Sequence, residues 1–400
     1  MARLAAPPPV FPHIEGQPRL PAPAVLAGGR HEVFQNGQSN GTETVATYQI
    51  FRTMARGAVV RPRLVFVNQG MTTATGALAF ADAFTIDKAS VFSQFDTAPV
   101  PVTFNGARAV TVAPGQVVVS DPLPLRLAPP GYYVRTRVAV ASGQRWPVYS
   151  VNLRGELNEG KGSADVVDQA PKPSTLTAGV LGFGPNAVIG VPEAVTPCVA
   201  ILGSSSAYGQ GDTAEAAGGY QFGYLARALA RDGLPFLRGG LQGDTVANFV
   251  ANWTTRRRVM LESGVTHAVL QAGSNDVAGG ADLATMRARM TAAFDQVAGL
   301  GLKIVPVTIT PLTDSANGWA TAAGQTPRAG EAVRLAVNDW LRARPHGAIV
   351  DVWDTAAALQ APSNPSLWRT DGGAWTADGT HANPTAHRAA AAAIDTRAIV

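Results

Sequence analysis

Two distant stretches of this chain carry side chains that could do acyl-group chemistry together. Gly203-Ser204-Ser205-Ser206 presents three hydroxyls after an apolar run, and Asp378-Gly379-Thr380-His381 sets a carboxylate three residues ahead of an imidazole. A hydroxyl is a poor nucleophile at neutral pH and needs a base such as imidazole to take its proton. The imidazole in turn needs a carboxylate to fix its tautomer and stabilise its charge. Ser205, His381 and Asp378 would supply that set. Taken singly each has an ordinary explanation, since Ser is common in loops, Asp-Gly makes turns and a lone His often caps a surface element. Two further segments strengthen the combination: Gly239-Gly240-Leu241-Gln242-Gly243-Asp244-Thr245 and Gly273-Ser274-Asn275-Asp276. The amide of Asn275 and the backbone N–H groups of Gly243 and Ser205 could face a developing oxyanion.

These segments need a scaffold that brings them to one edge. Cys198 to Leu202 is a short apolar run broken by small residues, the pattern of a buried parallel strand that stops at a tight turn. After it strands and helices alternate. A helix is predicted over about 215 to 232, with Phe222, Leu225 and Leu229 on one stripe, and a strand near 235–238. A helix from Thr245 carries Val246, Phe249, Val250 and Trp253, and a strand follows at 267–271. The next helix holds Leu283, Met286, Met290, Phe294 and Val297, followed by a strand at 303–309. A helix at 328–343 has Val333, Val337, Trp340 and Leu341 inward, and a last strand runs over 348–353. Such a βαβα succession predicts a doubly wound parallel sheet with its functional loops on one edge. The basic run Arg256-Arg257-Arg258 falls in a helical pattern and reads as a solvated face.

The first half has a different texture. Residues 1–30 are Pro-rich and aperiodic and read as an extended arm. From 31 to 155 short β-like runs alternate with turn signals such as Asn105-Gly106, Pro114-Gly115 and Pro130-Gly131. In Tyr133 to Val140, Val134, Thr136, Val138 and Val140 share one face while Tyr133, Arg135 and Arg137 share the other, which predicts an antiparallel sheet with one wet side in a sandwich or jelly roll. Residues 156–195 read as a linker or crossing segment, and 196–400 as the catalytic domain.

Composition excludes several classes. With 400 residues the chain suggests two domains, and 46% hydrophobic against 15% charged residues argues for packed cores over disorder. A net charge of +4 is small for this size, so no nucleic-acid partner is implied. The lone Cys198, inside the apolar strand, reads as core filler and excludes an intramolecular disulfide framework. No Asp, Glu and His cluster has metal-ligand spacing, so no metal or other cofactor is called for; His267, His346, His387, His13 and His31 read as non-ligands, His267 as structural. No run approaches the ~20 apolar residues of a membrane span. The opening residues lack the apolar core of a signal peptide, so the chain reads as cytoplasmic as it stands, and as secreted or periplasmic if a leader was removed. Oligomeric state is not legible.

In order and content the four blocks resemble the SGNH or GDSL-type serine hydrolases. The family pattern is Gly-Asp-Ser in the first block, a Gly in the second, Gly-x-Asn-Asp in the third and Asp-x-x-His in the last. Gly273-Ser274-Asn275-Asp276 matches the third block, and Asp378-Gly379-Thr380-His381, followed by Asn383-Pro384, matches the last. The resemblance covers about 197–400. It implies a flavodoxin-like three-layer α/β/α domain, Ser205 as nucleophile, His381 as base, Asp378 as its orienter, and Gly243 and Asn275 with the Ser205 N–H as the oxyanion hole. The first block departs from the pattern: Ser204 stands where the family has Asp, which bears on how the turn is held and leaves Ser204 and Ser206 as hydroxyl neighbours of the nucleophile. The same segment does not satisfy the nucleophile elbow of α/β-hydrolases, which ends in Gly.

Tyr208, Trp319, Trp368 and Trp375 lie near these blocks in sequence and are candidates for lining a substrate site, with packing between loop and helix as the alternative. A β-sandwich ahead of an SGNH domain is an arrangement found among carbohydrate esterases. The reading is therefore a serine ester hydrolase working through an acyl-enzyme, removing acetyl or short acyl groups from a saccharide or related small ester. A general short-chain esterase or lipase and an acyltransferase are alternatives on the same scaffold. A non-catalytic binding protein with a degenerate first block is an alternative of another class.

Overall fold

A computed structural model describes residues 25–26, 31–32, 36–39, 45–53, 57–70, 82–93, 98–148, 159–169, 176–178, 182–194, 196–213 and 223–399. Nearly all of the expected N-terminal arm, and the start of the helix expected from 215 with its Phe222, lie outside them.

The N-terminal half is a sandwich of two antiparallel sheets. In one, β4 (Gly131–Ala139) is central, paired along its length with β1 (Val45–Thr53) and β3 (Phe84–Ser93). In the other, β2 (Val59–Val67) pairs with β5 (Ala187–Pro192), Val117–Val119 and Arg126–Leu127. Because strand side chains alternate between faces, Tyr48 and Ile50, Tyr132, Val134 and Val138, and Phe84 and Ile86 all point into the space between the sheets and are buried. Phe183 fills its centre, with ring centroids 5.4 Å from Phe84, 6.0 Å from Tyr48 and 6.2 Å from Phe66.

Two expectations need correction here. The face of β4 expected to be wet is covered: Arg135 is fully buried, its Nε donating to Gln49 Oε1 (2.6 Å) and its Nη1 to the carbonyls of Val166 (2.9 Å) and Gln169 (2.6 Å). Those carbonyls belong to the stretch expected as a linker, which is largely structural. Gly160–Gly162 pairs with β1, residues 163–169 pack over the sheet, and β5 is a full member of the second sheet. A long polar arginine stem can serve as packing once its donors have acceptors, which strand periodicity alone does not reveal.

The C-terminal half is built on a parallel sheet in the order β9 (Lys303–Pro306), β8 (His267–Gln271), β6 (Val199–Gly203), β7 (Phe236–Gly240), to whose edge His31–Glu32 adds in parallel. The last expected strand is reduced to two parallel bridges to the β9 edge, Ile304 with Ile349 and Val307 with Trp353. Counted along the chain this is the 2-1-3-4-5 order of flavodoxin-like folds, and its topological switch point lies between β6 and β8. Alternate residues of β6 go to opposite faces. Val199 and Ile201 pack with the helix Tyr224–Arg231 and the final helix, Pro384–Ala393, while Ala200 and Leu202 pack with Val246–Ala251, Leu283–Ala298 and Glu331–Arg342. The second of these cores is continuous with that of the sandwich. Cys198 is fully buried at the start of β6. The helix expected from Thr245 breaks at Asn252 into Val246–Ala251 and Trp253–Glu262. Among the described residues no helix is long and apolar enough to cross a membrane.

Candidate active site

The nucleophile turn is set by close packing at the switch point. β6 ends at Gly203 with φ +135°, and a Cβ there would lie 1.7 Å from the Gln271 carbonyl oxygen of β8, so the strands can approach only with glycine at this position. Ser204 then donates its N–H to Gln271 O (3.0 Å) and its hydroxyl to Gln271 Oε1 (3.3 Å), fully buried between the two strands. Where the family pattern has Asp, the turn is held by a neutral hydroxyl–amide pair. Ser205 opens a single helical turn, Ser205–Tyr208, whose first N–H groups have no intrahelical acceptor.

The other half of the site is the turn 378–381. His381 Nε2 lies 2.8 Å from Ser205 Oγ, and His381 Nδ1 lies 2.6 Å from Asp378 Oδ2. The carboxylate takes the Nδ1–H, which leaves the Nε2 lone pair for the serine proton. Burial by itself would raise the Asp378 carboxyl. Hydrogen bonds from the His381 ring and from the backbone N–H groups of His381 and Thr380 (both 2.8 Å, to Oδ1) outweigh it and hold the group well below the usual carboxylate range. The turn is cross-braced: Thr376 Oγ1 accepts from Gly379 N–H (2.9 Å) and donates to His381 O (2.7 Å), while Gly379 O accepts from Thr313 N–H (3.0 Å) and from the indole of Trp368 (3.1 Å). Gly379 has φ +72°, and a Cβ on it would sit 1.8 Å from Thr313 O.

The loop after β7 starts beside the nucleophile turn, where the Leu241 N–H donates to Gly203 O (2.9 Å). Gly243 is exposed, and next to it the Asp244 carbonyl accepts from Asn275 Nδ2 (2.7 Å), tying the two expected oxyanion groups together. Asp276 secures the arrangement by accepting from Val246 N–H (2.8 Å) and Arg289 (2.9 Å). The Asp244 carboxylate turns inward onto Arg256, 2.8 Å away, and both are almost wholly buried. Burial pushes the Asp244 carboxyl up to about 6 although Arg256 opposes it, and the same burial lowers the Arg256 guanidinium. Arg256 was expected on a solvated face. It points instead into the protein beneath the loop, its guanidinium 4.9 Å from the Phe249 ring centroid, while Arg258 donates to Gly115 O of the sandwich (2.8 Å).

The expected lining aromatics separate. Trp368 is fully buried and Trp375 nearly so, so neither is available to line a site; their indoles brace the 378–381 turn and the 371 carbonyl from inside. Tyr208 and Trp319 are half-buried. Tyr208 lies against the Arg238 guanidinium (5.0 Å), and Trp319, at φ +59°, donates its indole N–H to Thr313 Oγ1 (2.9 Å) beside Gly379. His267 is buried with Nδ1 2.9 Å from Thr266 Oγ1, and burial lowers it to about 4. His387 is buried too, accepting from Tyr224 N–H (3.1 Å) and reaching Gln210 O (3.1 Å). Among the described residues no group of three or more His, Cys, Asp or Glu is placed to hold a metal ion. Sequence reasoning missed Arg328, Thr376 and the inward role of Asp244 with Arg256. The small polar texture around Thr376 was a usable signal for a tight turn, but Arg328 lies 50 residues from Asp378 and carries none.

The C-terminal half is thus a flavodoxin-like α/β domain in which a hydroxyl, an imidazole and a carboxylate share one hydrogen-bonded chain at the switch point of the sheet. Residues 201–389 match the model of the GDSL-like lipase/acylhydrolase family; the C-terminal part of the chain is a GDSL-like lipase/acylhydrolase domain, and the protein is a hydrolase. No curated protein matches the chain. Among solved structures, similarity extends to a lipolytic protein of the G-D-S-L family from Veillonella parvula (18% identity, TM-score 0.38, 51% of this chain and 100% of that one). It also extends to a GDSL-like lipase from Bacteroides thetaiotaomicron (14%, TM-score 0.36, 50% and 87%). A carbohydrate esterase family 2 enzyme with its carbohydrate-binding domain, from Corynascus thermopiles, is similar over 86% of this chain and 97% of that one (14%, TM-score 0.36).

Proposed function

We propose that the protein cleaves an ester through an acyl-enzyme on Ser205 and that its substrate is an acetyl or short acyl ester of a saccharide. The observation that carries the mechanism is the chain Ser205 Oγ, His381 Nε2, His381 Nδ1, Asp378 Oδ2, at 2.8 and 2.6 Å. Ser205 Oγ adds to the ester carbonyl carbon as its proton passes to His381 Nε2. The resulting oxyanion is met by the Ser205 and Gly243 N–H groups and the Asn275 amide. The intermediate collapses as the imidazolium returns the proton to the departing alcohol oxygen, leaving acyl-Ser205. Water, deprotonated by the same imidazole, then releases the acid. Asp378, kept ionised, stabilises the imidazolium in both halves. The saccharide half of the reading draws support from the antiparallel sandwich that precedes the hydrolase domain and shares a core with it.

The test is hydrolysis of p-nitrophenyl acetate, butyrate and octanoate, with acetate release from acetylated xylan alongside, by the unmodified chain and by Ser205→Ala. Acetate should be preferred, xylan should be deacetylated, and Ser205→Ala should lose about 10³-fold or more in kcat. Full activity in Ser205→Ala would remove the serine mechanism. Turnover of octanoate with inert acetylxylan would replace the saccharide by a simple lipid ester.

A further inference from the structure

We infer that Arg328 is a positioning residue for the catalytic chain, holding from behind the turn that carries both Asp378 and His381; the inference rests on the serine mechanism proposed above. Arg328 follows the strand Gln325–Pro327, which pairs with Thr313–Ser315, and its own N–H donates to Leu312 O (2.9 Å), so the root of the side chain is fixed. Its guanidinium makes three directed bonds: Nη1 to Thr380 Oγ1 (2.7 Å), Nη2 to Asp378 O (2.9 Å) and Nε to Asp314 Oδ1 (2.8 Å). Two of the three acceptors lie inside the turn 378–381. The braces from Thr376, Thr313 and Trp368 act on the N–H and carbonyl of Gly379, on the carbonyl of His381 and on the N–H of Asp378. None of them reaches the Asp378 carbonyl or the Thr380 hydroxyl. Arg328 therefore supplies the restraint on the two residues flanking Gly379, next to a carboxylate whose side chain is half exposed.

A planar fork with five N–H donors can serve three acceptors in fixed directions, whereas an ammonium cannot. Asp314 balances the charge, so the contribution to catalysis is geometric. Without the fork Gly379 and the His381 carbonyl keep their bonds to Thr313, Thr376 and Trp368, but the Asp378 carbonyl and the Thr380 hydroxyl lose their restraint, and the resulting shifts of the turn move His381 Nε2 relative to Ser205 Oγ. Misplacement of a reacting group by ~1 Å costs about 10²-fold.

The experiment compares the unmodified chain, Arg328→Ala, Arg328→Lys and Thr380→Val in p-nitrophenyl acetate turnover and in the rate of labelling by a fluorophosphonate probe, with Ser205→Ala as control. Arg328→Ala should lower kcat about 10- to 100-fold with KM within about twofold. The labelling rate constant should fall in parallel while the fraction of protein that finally labels stays near complete. Arg328→Lys should recover only part of the rate. Thr380→Val, which deletes one acceptor and leaves the fold's charges alone, should lose about threefold or more, and it carries the test if Arg328→Ala fails to fold. A labelling rate within twofold of the unmodified chain, or a loss seen wholly as a smaller labelled fraction, overturns the inference. If Ser205→Ala hydrolyses and labels like the unmodified chain, it is the serine mechanism that fails.

Discussion

Arg256→Met should destabilise the protein in a strongly pH-dependent way. Asp244 and Arg256 form a 2.8 Å ion pair with side chains 3% and 0% exposed, directly beneath the loop that carries Gly243. Even with the guanidinium alongside, burial holds the Asp244 carboxyl at about 6, against an ordinary 3.8. At 1.36 kcal/mol per pH unit, the ionised form already costs the native protein about 3 kcal/mol at neutral pH. Methionine keeps the packing of the arginine stem and removes its charge, leaving a buried carboxylate with a backbone N–H but no countercharge, a change that costs about 3–5 kcal/mol. A folded-state value above the unfolded one means that the group's contribution is fully favourable below 3.8 and is lost as pH rises through the folded-state value. That value is about 6 in the native pair and higher still in the variant. The gap between Arg256→Met and the unmodified chain should therefore be small at pH 5 and should widen by about 2–3 kcal/mol by pH 8. Urea unfolding at the two pH values measures it, and Asp244→Asn added to Arg256→Met should abolish the widening. A variant within ~1 kcal/mol of the unmodified chain at pH 8, or equally destabilised at both pH values, would refute the reasoning that a charge is held there by its partner.

Two other perturbations follow from the same geometry. Gly379→Ala places a Cβ 1.8 Å from Thr313 O and should cost more than about 2 kcal/mol in thermal unfolding and about 10²-fold in ester turnover, whereas Gly372→Ala, at φ +79° with nothing within 4 Å, should cost about 1 kcal/mol and leave turnover unchanged. Burial lowers His267 to about 4 in the fold against 6.5 unfolded, so the unfolded chain binds the extra proton between those values and stability falls as pH drops from 6.5 toward 4; the unfolding free energy of His267→Gln, from urea titration, should fall less steeply over that window, by up to about 3 kcal/mol.

Local pattern carried a great deal here. Hydrophobic periodicity is a property of neighbours along the chain, so the apolar run at Val199–Gly203, the stripe Met286, Met290, Phe294 and Val297, and the alternation of Val134, Val138 and their neighbours were all readable. Strands of a parallel sheet all end at the same edge, so alternation of strands and helices was enough to bring the loops after β6, β7 and β8 together, whereas the 378–381 turn follows no strand of that sheet. The spacing Asp378 to His381 also predetermines its own geometry, because a carboxylate three residues ahead of an imidazole can accept its backbone N–H and its ring N–H at once.

What the tertiary structure alone decided concerns polar groups whose partners are remote in sequence. Arg256 and Arg135 read as solvent-facing because charge normally stays in water, and each is buried because an acceptor from elsewhere meets it: Asp244 in one case, the carbonyls of Val166 and Gln169 in the other. Trp368 and Trp375 stood near the last block in sequence and turned out to support it from within, since nearness along a chain does not say which side of a turn a ring will occupy. Ser204 could be seen to replace an acid, but that Gln271 would take up its hydroxyl depended on the register between β6 and β8. Chain-local rules specify which elements form and which residue types are available; the desolvation cost of each polar atom is met only in three dimensions, where the fold chooses its partner.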